Sequence, residues 1–274
     1  MIEFQQVSRS YGDKLAVDRL TLRIEAGELF AVLGHNGAGK TTAIKMLVGL
    51  IRPASGTLLV GGHNVATDTR TATSVIGYVP DQPFLYDKLS GREILQFVAR
   101  MYGMDNKQAS QVIEREVERF ELGGFVDELT ETYSHGMKQR TVFASALLHN
   151  PSVLVVDEPM VGLDPHSVRL VKDLLQREVA AGMCVLMSTH TLTAAEEIAG
   201  RVGIMGHGRL LFDGTVDSLR ERFPLGKQSL ESMYLALTEN SGEMLLSNNV
   251  AARNLATGDA GDTPTLIDSD KLKI

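Results

Sequence analysis

The 274-residue sequence predicts an α/β fold whose core is a sheet with crossover helices. Three observations carry that expectation. From residue 151 onward, short apolar runs alternate with helical periods: SVLVVDEP, SVRLVKDLLQREVAAG, CVLMSTH, then TAAEEIAGRVGIM. Strands that alternate with helices pair in parallel, because each crossover returns the chain to the same end of the sheet. Earlier, an apolar strand in GELFAVLG runs through the glycine-rich turn GHNGAGK into a further helical period. The composition, 43% hydrophobic and 22% charged, supplies ample apolar material for a core.

Taken in order, residues 1–30 alternate apolar and polar residues in short bursts (IEFQQV, LTLRIEAGELFAVL) and predict several strands, the last one buried. From Thr41, TTAIKMLVGL has helical spacing at Ile44, Leu47 and Val48. RPASG then turns the chain, and GTLLVGG predicts another strand or hairpin. The pattern is mostly helical from about Ser90 to Leu129. GREILQFVARMYG places Ile94, Phe97, Val98 and Met101 on one face, and ASQVIEREVERFEL repeats the period, with Val112, Glu116 and Arg119 mixing charge onto the other sides. SLESMYLALT spaces Leu230, Met233, Tyr234 and Leu237 as one more amphipathic helix, within 226–240. Beyond Asn240 the residues turn to Ser, Asn, Gly, Asp and Thr without steady period, so 241–274 is expected to be a weakly ordered tail.

Composition also excludes classes of function. A net charge of −7 argues against broad nucleic-acid binding, which needs clustered Lys and Arg, and no nucleic-acid partner is expected. The single cysteine, Cys184, lies in the apolar run MCVLMS and reads as a buried, inert thiol; it offers no disulfide framework. The N-terminus lacks the charged-then-apolar order of a signal peptide, and no apolar stretch approaches the roughly 18 residues that span a bilayer. Any membrane role is therefore expected to run through a partner. His63, His149, His166 and His207 are scattered without ligand spacing and are expected at the surface.

Three stretches carry chemistry. GHNGAGKTT holds G-x-x-x-x-G-K-T at Gly34, Gly39, Lys40 and Thr41, between a strand and a helix. Glycines there let backbone N–H groups turn inward around a phosphate, Lys40 places a point charge on β- and γ-oxygens, and the Thr41 hydroxyl can ligate Mg²⁺. His35 is expected to expose its side chain while its backbone serves phosphate. SVLVVDEP ends an apolar strand on Asp157 and Glu158, where an α/β sheet delivers residues to its ligand crevice. Asp157 would hold Mg²⁺ and Glu158 would polarise the attacking water. Third, in YSHGMKQR, Ser134 and Gly136 open a helical run whose N-terminal amides and dipole favour an anion, a second such helix end almost a hundred residues after the first.

With these motifs in this order, the chain resembles the nucleotide-binding subunits of ATP-binding cassette (ABC) transporters over roughly residues 2–225. The resemblance implies a P-loop NTPase of ABC-cassette fold: a mixed sheet core, an N-terminal antiparallel β subdomain, and a helical subdomain near 88–132, within an ATPase domain of 1–225. It implies ATP and Mg²⁺ as ligands, with Gly34, His35, Asn36, Gly37, Ala38, Gly39, Lys40, Thr41 and Thr42 at the phosphates and Tyr11 stacked on adenine. YSHGM takes the place of the family's LSGGQ signature, keeping Ser134 and Gly136 but carrying His135 and Met137. GLDP, with Asp164, matches the loop that crosses to a partner subunit, and His190 matches the histidine that senses the γ-phosphate. The family's glutamine after Val-Pro falls on Asp81, with Gln82 next; either could face the metal and water.

In such proteins two ATPase subunits pack head to tail, and each signature helix caps the γ-phosphate held by the other. The two anion-seeking helix ends would then be halves of two different sites. The resemblance further implies, through features like the branch of type-2 exporters, separate integral-membrane permease subunits, a second ATPase subunit (homo- or heterodimer), and a place on the cytoplasmic face of the membrane. The helical block is the expected docking surface, with Phe84, Leu85 and Tyr86 exposed to receive a permease helix. An alternative is a soluble ATPase of the same family acting on ribosomes or nucleic acid; a small-molecule kinase would share only the phosphate loop.

Overall fold

A computed structural model describes residues 1–222 and 231–238. The N-terminal residues form β1 (Ile2–Tyr11), β2 (Lys14–Ile24) and β3 (Leu29–Leu33), followed by α1 (Lys40–Leu47), β4 (Ser55–Val60), β5 (His63–Asn64), α2 (Thr69–Ser74) and β6 (Ile76–Val79). The middle of the chain is α3 (Gly91–Met101), α4 (Asn106–Arg119) and α5 (His135–Leu147). Then come β7 (Val153–Asp157), α6 (Pro165–Ala180), β8 (Cys184–Thr189), α7 (Leu192–Ile198), β9 (Arg201–Gly206), β10 (Arg209–Gly214) and α8 (Val216–Glu221). A last helix covers 231–238.

The strands make two sheets. One is antiparallel with order β2-β1-β4-β5; the other has order β10-β9-β3-β8-β7-β6 and is parallel except for the edge strand β10. Every residue of β3, β7 and β8 is buried, which is why these strands are almost uniformly apolar rather than alternating. Successive side chains of β3 divide between two cores. Leu29, Ala31 and Leu33 join the helices α3 to α6, while Phe30 and Val32 join α1 and the antiparallel sheet. Cys184 is buried in the second core, and burial pushes its thiol up to about 11.

The helical block begins sharply at Ser90. The Ser90 hydroxyl accepts the Glu93 N–H and the Glu93 carboxylate accepts the Ser90 N–H, a reciprocal cap that opens α3. Asp105 and Gln108 do the same for α4. The inward face of α3 differs from the expected one. Ile94, Leu95 and Ala99 are buried, whereas Phe97 and Met101 are 47% and 70% exposed. Phe97 instead meets Tyr86 edge to face, with ring centroids 6.4 Å apart.

Three other expectations change. Glu116 does not lie on a solvated side; it is fully buried, held by Arg115 at 2.8 Å and Arg119 at 3.5 Å, and Arg119 continues to Glu178 of α6. A carboxylate tolerates burial here because it is paired. His149 is half-buried rather than superficial: its Nε2 donates to the Ile76 carbonyl at 3.1 Å and its ring stacks on Tyr102 at 3.8 Å. Leu85 is buried at 6% exposure, while Phe84 and Tyr86 are 76% and 56% exposed. Within the C-terminal amphipathic segment, Met233 is buried in the main core, and Tyr234 and Leu237 pack against it. Leu230 and the 241–274 segment lie outside the described residues.

Candidate functional site

Strand register brings the motifs together. Leu33 at the end of β3 pairs with Thr189 of β8, Asp157 of β7 pairs with Ser188 of β8, and Val79 of β6 pairs with Val156 of β7. Gly34, His190, Glu158 and Asp81 therefore leave the sheet at one end, the carboxyl end where α/β sheets bind ligands.

The turn between β3 and α1 demands its glycines. A Cβ on Gly34 would stand 2.8 Å from the Met205 carbonyl oxygen. Gly39 has φ +109°, and a Cβ there would approach the Ala16 carbonyl to 2.5 Å. Lys40 is only 6% exposed, with its ammonium donating to the Gly34 carbonyl at 2.5 Å and the His35 carbonyl at 3.4 Å. Burial lowers its pKa, and the charges of Glu158 and Asp157 oppose that fall. A cavity of about 280 Å³ opens over the turn, lined by Tyr11, Lys14, Ala16, His35, Asn36, Gly37, Gly39, Lys40, Thr41 and Thr42. Tyr11 reaches it from the tip of the β1–β2 hairpin and is 48% exposed. His35 is exposed, its Nδ1 lying 2.8 Å from the Asn36 carbonyl, and Ala38 is buried with its N–H donated to the His35 carbonyl at 3.1 Å. Larger clefts of about 590 Å³ between β2 and β10 and about 510 Å³ beside α4 contain none of these groups; donor chemistry, not size, marks the site.

Beside the turn sits the acidic cluster. Asp157 is 1% exposed; its Oδ1 accepts the Ser188 hydroxyl, while its Oδ2 is buried with no protein partner. Burial raises its pKa, the Ser188 hydrogen bond opposes this, and the negative charges of Asp81 and Glu158 add to the rise. A buried carboxylate with one free oxygen, within reach of the Lys40 charge, suits a hard divalent cation. Glu158 adopts φ +50°, unusual for a non-glycine residue. Its N–H donates to the Ser188 carbonyl at 3.1 Å, and its carboxylate lies 3.8 Å from the Lys40 ammonium and 2.9 Å from His190 Nδ1. Such strain concentrates where surrounding structure over-determines a reactive group. Asp81 and Gln82 are both exposed on the loop after β6, and the charge of Asp81 reaches inward: with burial and Asp157, it pushes the Tyr78 phenol up to about 12.

Sequence reasoning missed Ser188. Its hydroxyl serves both acids, donating to Asp157 and accepting the Glu158 N–H at 3.2 Å. The signal was present in CVLMSTH, a small polar residue inside a fully buried strand.

The signature residues form a separate place. Ser134 caps α5 by accepting the Met137 N–H at 3.3 Å, and His135 is exposed beside it. Gly136 sits near Asp164, which caps α6 by accepting the Ser167 N–H at 3.0 Å and the Ser167 hydroxyl at 2.7 Å. Those bonds hold the Asp164 carboxyl below its ordinary pKa. None of Ser134 to Met137 lines the cavity over the Gly34–Gly39 turn.

A glycine-rich phosphate turn, a buried lysine and a strand-end pair of acids define a nucleotide-hydrolysing α/β protein. Comparison places it more narrowly. Residues 17–161 match the ABC transporter family, and the chain belongs to that family. It is 36% identical over 256 residues to Nod factor export ATP-binding protein I of Rhizobium sp. (strain N33), covering 89% of this chain and 84% of that protein. It is 34% identical over 222 residues to linearmycin resistance ATP-binding protein LnrL of Bacillus subtilis (strain 168), covering 81% and 71%. Among solved structures, an ATP-binding subunit of an ABC transporter superposes with TM-score 0.81 at 31% identity, covering 86% of this chain and 99% of that one. The dimeric cassette MJ0796 shares the fold, with TM-score 0.73 at 23% identity over 79% of this chain and 99% of that one. The fold is thus the ABC-ATPase cassette, and the protein is an ATP-binding ATPase subunit of the ABC transporter type. No described helix is long and apolar enough to cross a membrane.

Proposed function

We propose that this chain is the motor of an exporter, hydrolysing MgATP between two ATPase subunits packed head to tail and driving a separate membrane permease from the cytoplasmic face. The observation that carries this reading is the split of the site. The phosphate cavity holds Lys40 and the acids nearby but no signature residue, while the α5 N-terminus presents Ser134 and His135 to solvent. A second copy can supply the missing helix end, whose dipole favours the γ-phosphate. Loss of that phosphate removes the differential contact that held the pair closed. Export is the activity named for the Nod factor relative, which supports the direction.

Within each site, Lys40 and the turn amides would hold the phosphates, and Tyr11 would meet the base. Asp157, Thr41 and an oxygen of Asp81 or Gln82 would hold Mg²⁺, which supplies charge neutralisation when bound. Glu158 would take a proton from water as its oxygen attacks the γ-phosphorus and the bond to the bridging oxygen breaks; His190, against the Glu158 carboxylate, would orient both.

Mixing two inactive variants tests the sharing directly. Lys40→Ala spoils the phosphate loop and Ser134→Arg spoils the signature. In the mixed dimer both lesions fall on one site and the other is intact, so turnover is expected to rise above that of either variant alone. Equal inactivity of the mixture and its components, with mixed dimers shown by tagged pull-down, contradicts a shared site in which one intact centre can work.

A further inference from the structure

The residue at the second signature position, His135, does more than present a ring to solvent. Its Nε2 donates to the Val161 carbonyl at 3.1 Å, and its ring rests on Gly162, where a Cβ would stand 3.4 Å from two ring atoms. One helical turn further along α5, Gln139 is 2% exposed and its amide donates to the Pro159 carbonyl at 3.4 Å. Residues four apart share a helix face, so His135 and Gln139 hold two alternate carbonyls of a single loop. That loop begins at Glu158. The Val161 N–H donates to the Glu158 carbonyl at 3.3 Å, which makes a continuous path from the backbone of Glu158 through Val161 to His135.

We propose that His135 and Gln139 are positioning residues that clamp the signature helix to the loop 158–162 of the same subunit. Resting on the reading above, the clamp ties the two active sites together. Glu158 belongs to the site on this subunit's own phosphate turn, and Ser134 serves the site of its partner. A shift of the Glu158 loop on hydrolysis therefore moves the helix end that caps the other nucleotide. Physically, two rungs on one rigid helix face resist independent motion of the loop, and glycine at 162 adopts the left-handed turn beside the histidine ring (φ +73°) without strain.

Two measurements on the full chain test the clamp. Amide hydrogen exchange of 158–164 in the dilute, nucleotide-free protein reads the contact without dimerisation. His135→Ala is expected to accelerate it about fivefold, the size of one modest hydrogen bond. His135→Gln, which can place an amide where Nε2 stood, is expected to restore protection. Steady-state ATPase reads the consequence: kcat falls about three- to tenfold in His135→Ala and Gln139→Met, ATP affinity at the Lys40 site stays within about twofold, and His135→Gln recovers turnover.

Unchanged exchange in His135→Ala overturns the clamp, as does faster exchange with unaltered kcat. A fall in kcat without any change in exchange assigns His135 to direct contact with the partner's nucleotide and also overturns it. If wild-type protein never dimerises with ATP, the reading above fails, whereas the exchange result still judges the contact.

Discussion

Two helix N-termini in this chain use the same backbone physics in opposite settings. At α1, the amides are wrapped by the Gly34–Gly39 turn, a 6% exposed lysine and a nearby pair of acids. At α5, the first residues are capped by Ser134 and Met137 and the surface beyond them is open. The dipole favours an anion at both, but only the first has charges preorganised and partly dried, where electrostatic contacts are strongest. The contrast teaches that an anion-seeking helix end becomes a reaction centre through what surrounds it. In the pair proposed above, the second end would take its surroundings from the other subunit.

The sharpest break of this contrast is at Glu158. Glu158→Gln keeps the shape and removes the base, so turnover is expected to fall by about 10²- to 10⁴-fold while ATP still binds. Bound but unhydrolysed ATP should then accumulate a closed dimer, read by light scattering. Turnover near the wild-type rate in this variant would remove Glu158 from the chemistry and leave the φ +50° strain unexplained.

Much of the first region was legible in sequence because its chemistry is local. Gly34 to Thr42 form one uninterrupted motif, and Asp157–Glu158 end a strand that is apolar along its length. What sequence could not supply was register. Ser188 and Tyr78 join the acids only because β8 and β6 flank β7, a pairing set by strands far apart in the chain. The helical block was less legible for a related reason. The 3.6-residue period of α3 located an apolar side at Phe97 and Met101, but the core chose Leu95 and Ala99, leaving the larger residues outside. Glu116 escaped because no sequence period announces that two arginines on its own helix will neutralise a buried carboxylate.

That exposed side gives the next test. Phe84, Tyr86 and Phe97 form an edge-to-face chain on the surface, with Met101 also exposed. Paired Phe84→Glu and Tyr86→Glu substitutions should weaken recovery of a co-expressed permease by about tenfold or more, as loss of buried aromatic anchors does, while basal ATPase stays intact. Leu85 is left alone, because a carboxylate at a position this buried would damage the fold itself. Wild-type recovery with both substitutions in place would move the permease contact elsewhere.

The smallest effect probes the cost of preparing the first region for a cation. Asp157 has its pKa raised chiefly by burial, so ionising it weakens the nucleotide-free fold. The sign follows from proton binding. The folded chain holds this proton more tightly than the unfolded chain, so stability from this group falls as pH rises from the ordinary carboxylate range through the raised value. Asp157→Asn removes that loss. At neutral pH and without metal, its Tm is expected to rise by about 2–4 °C, the shift that about 1 kcal/mol makes in a chain of this size. The gain should disappear below the ordinary carboxylate range, where both forms are neutral. Activity should fall throughout, since in the proposed site a neutral amide oxygen holds Mg²⁺ more weakly than a carboxylate. A lower Tm at neutral pH would mean that the Ser188 hydrogen bond outweighs desolvation, and that the acid is a structural strut and not a charge held ready for Mg²⁺.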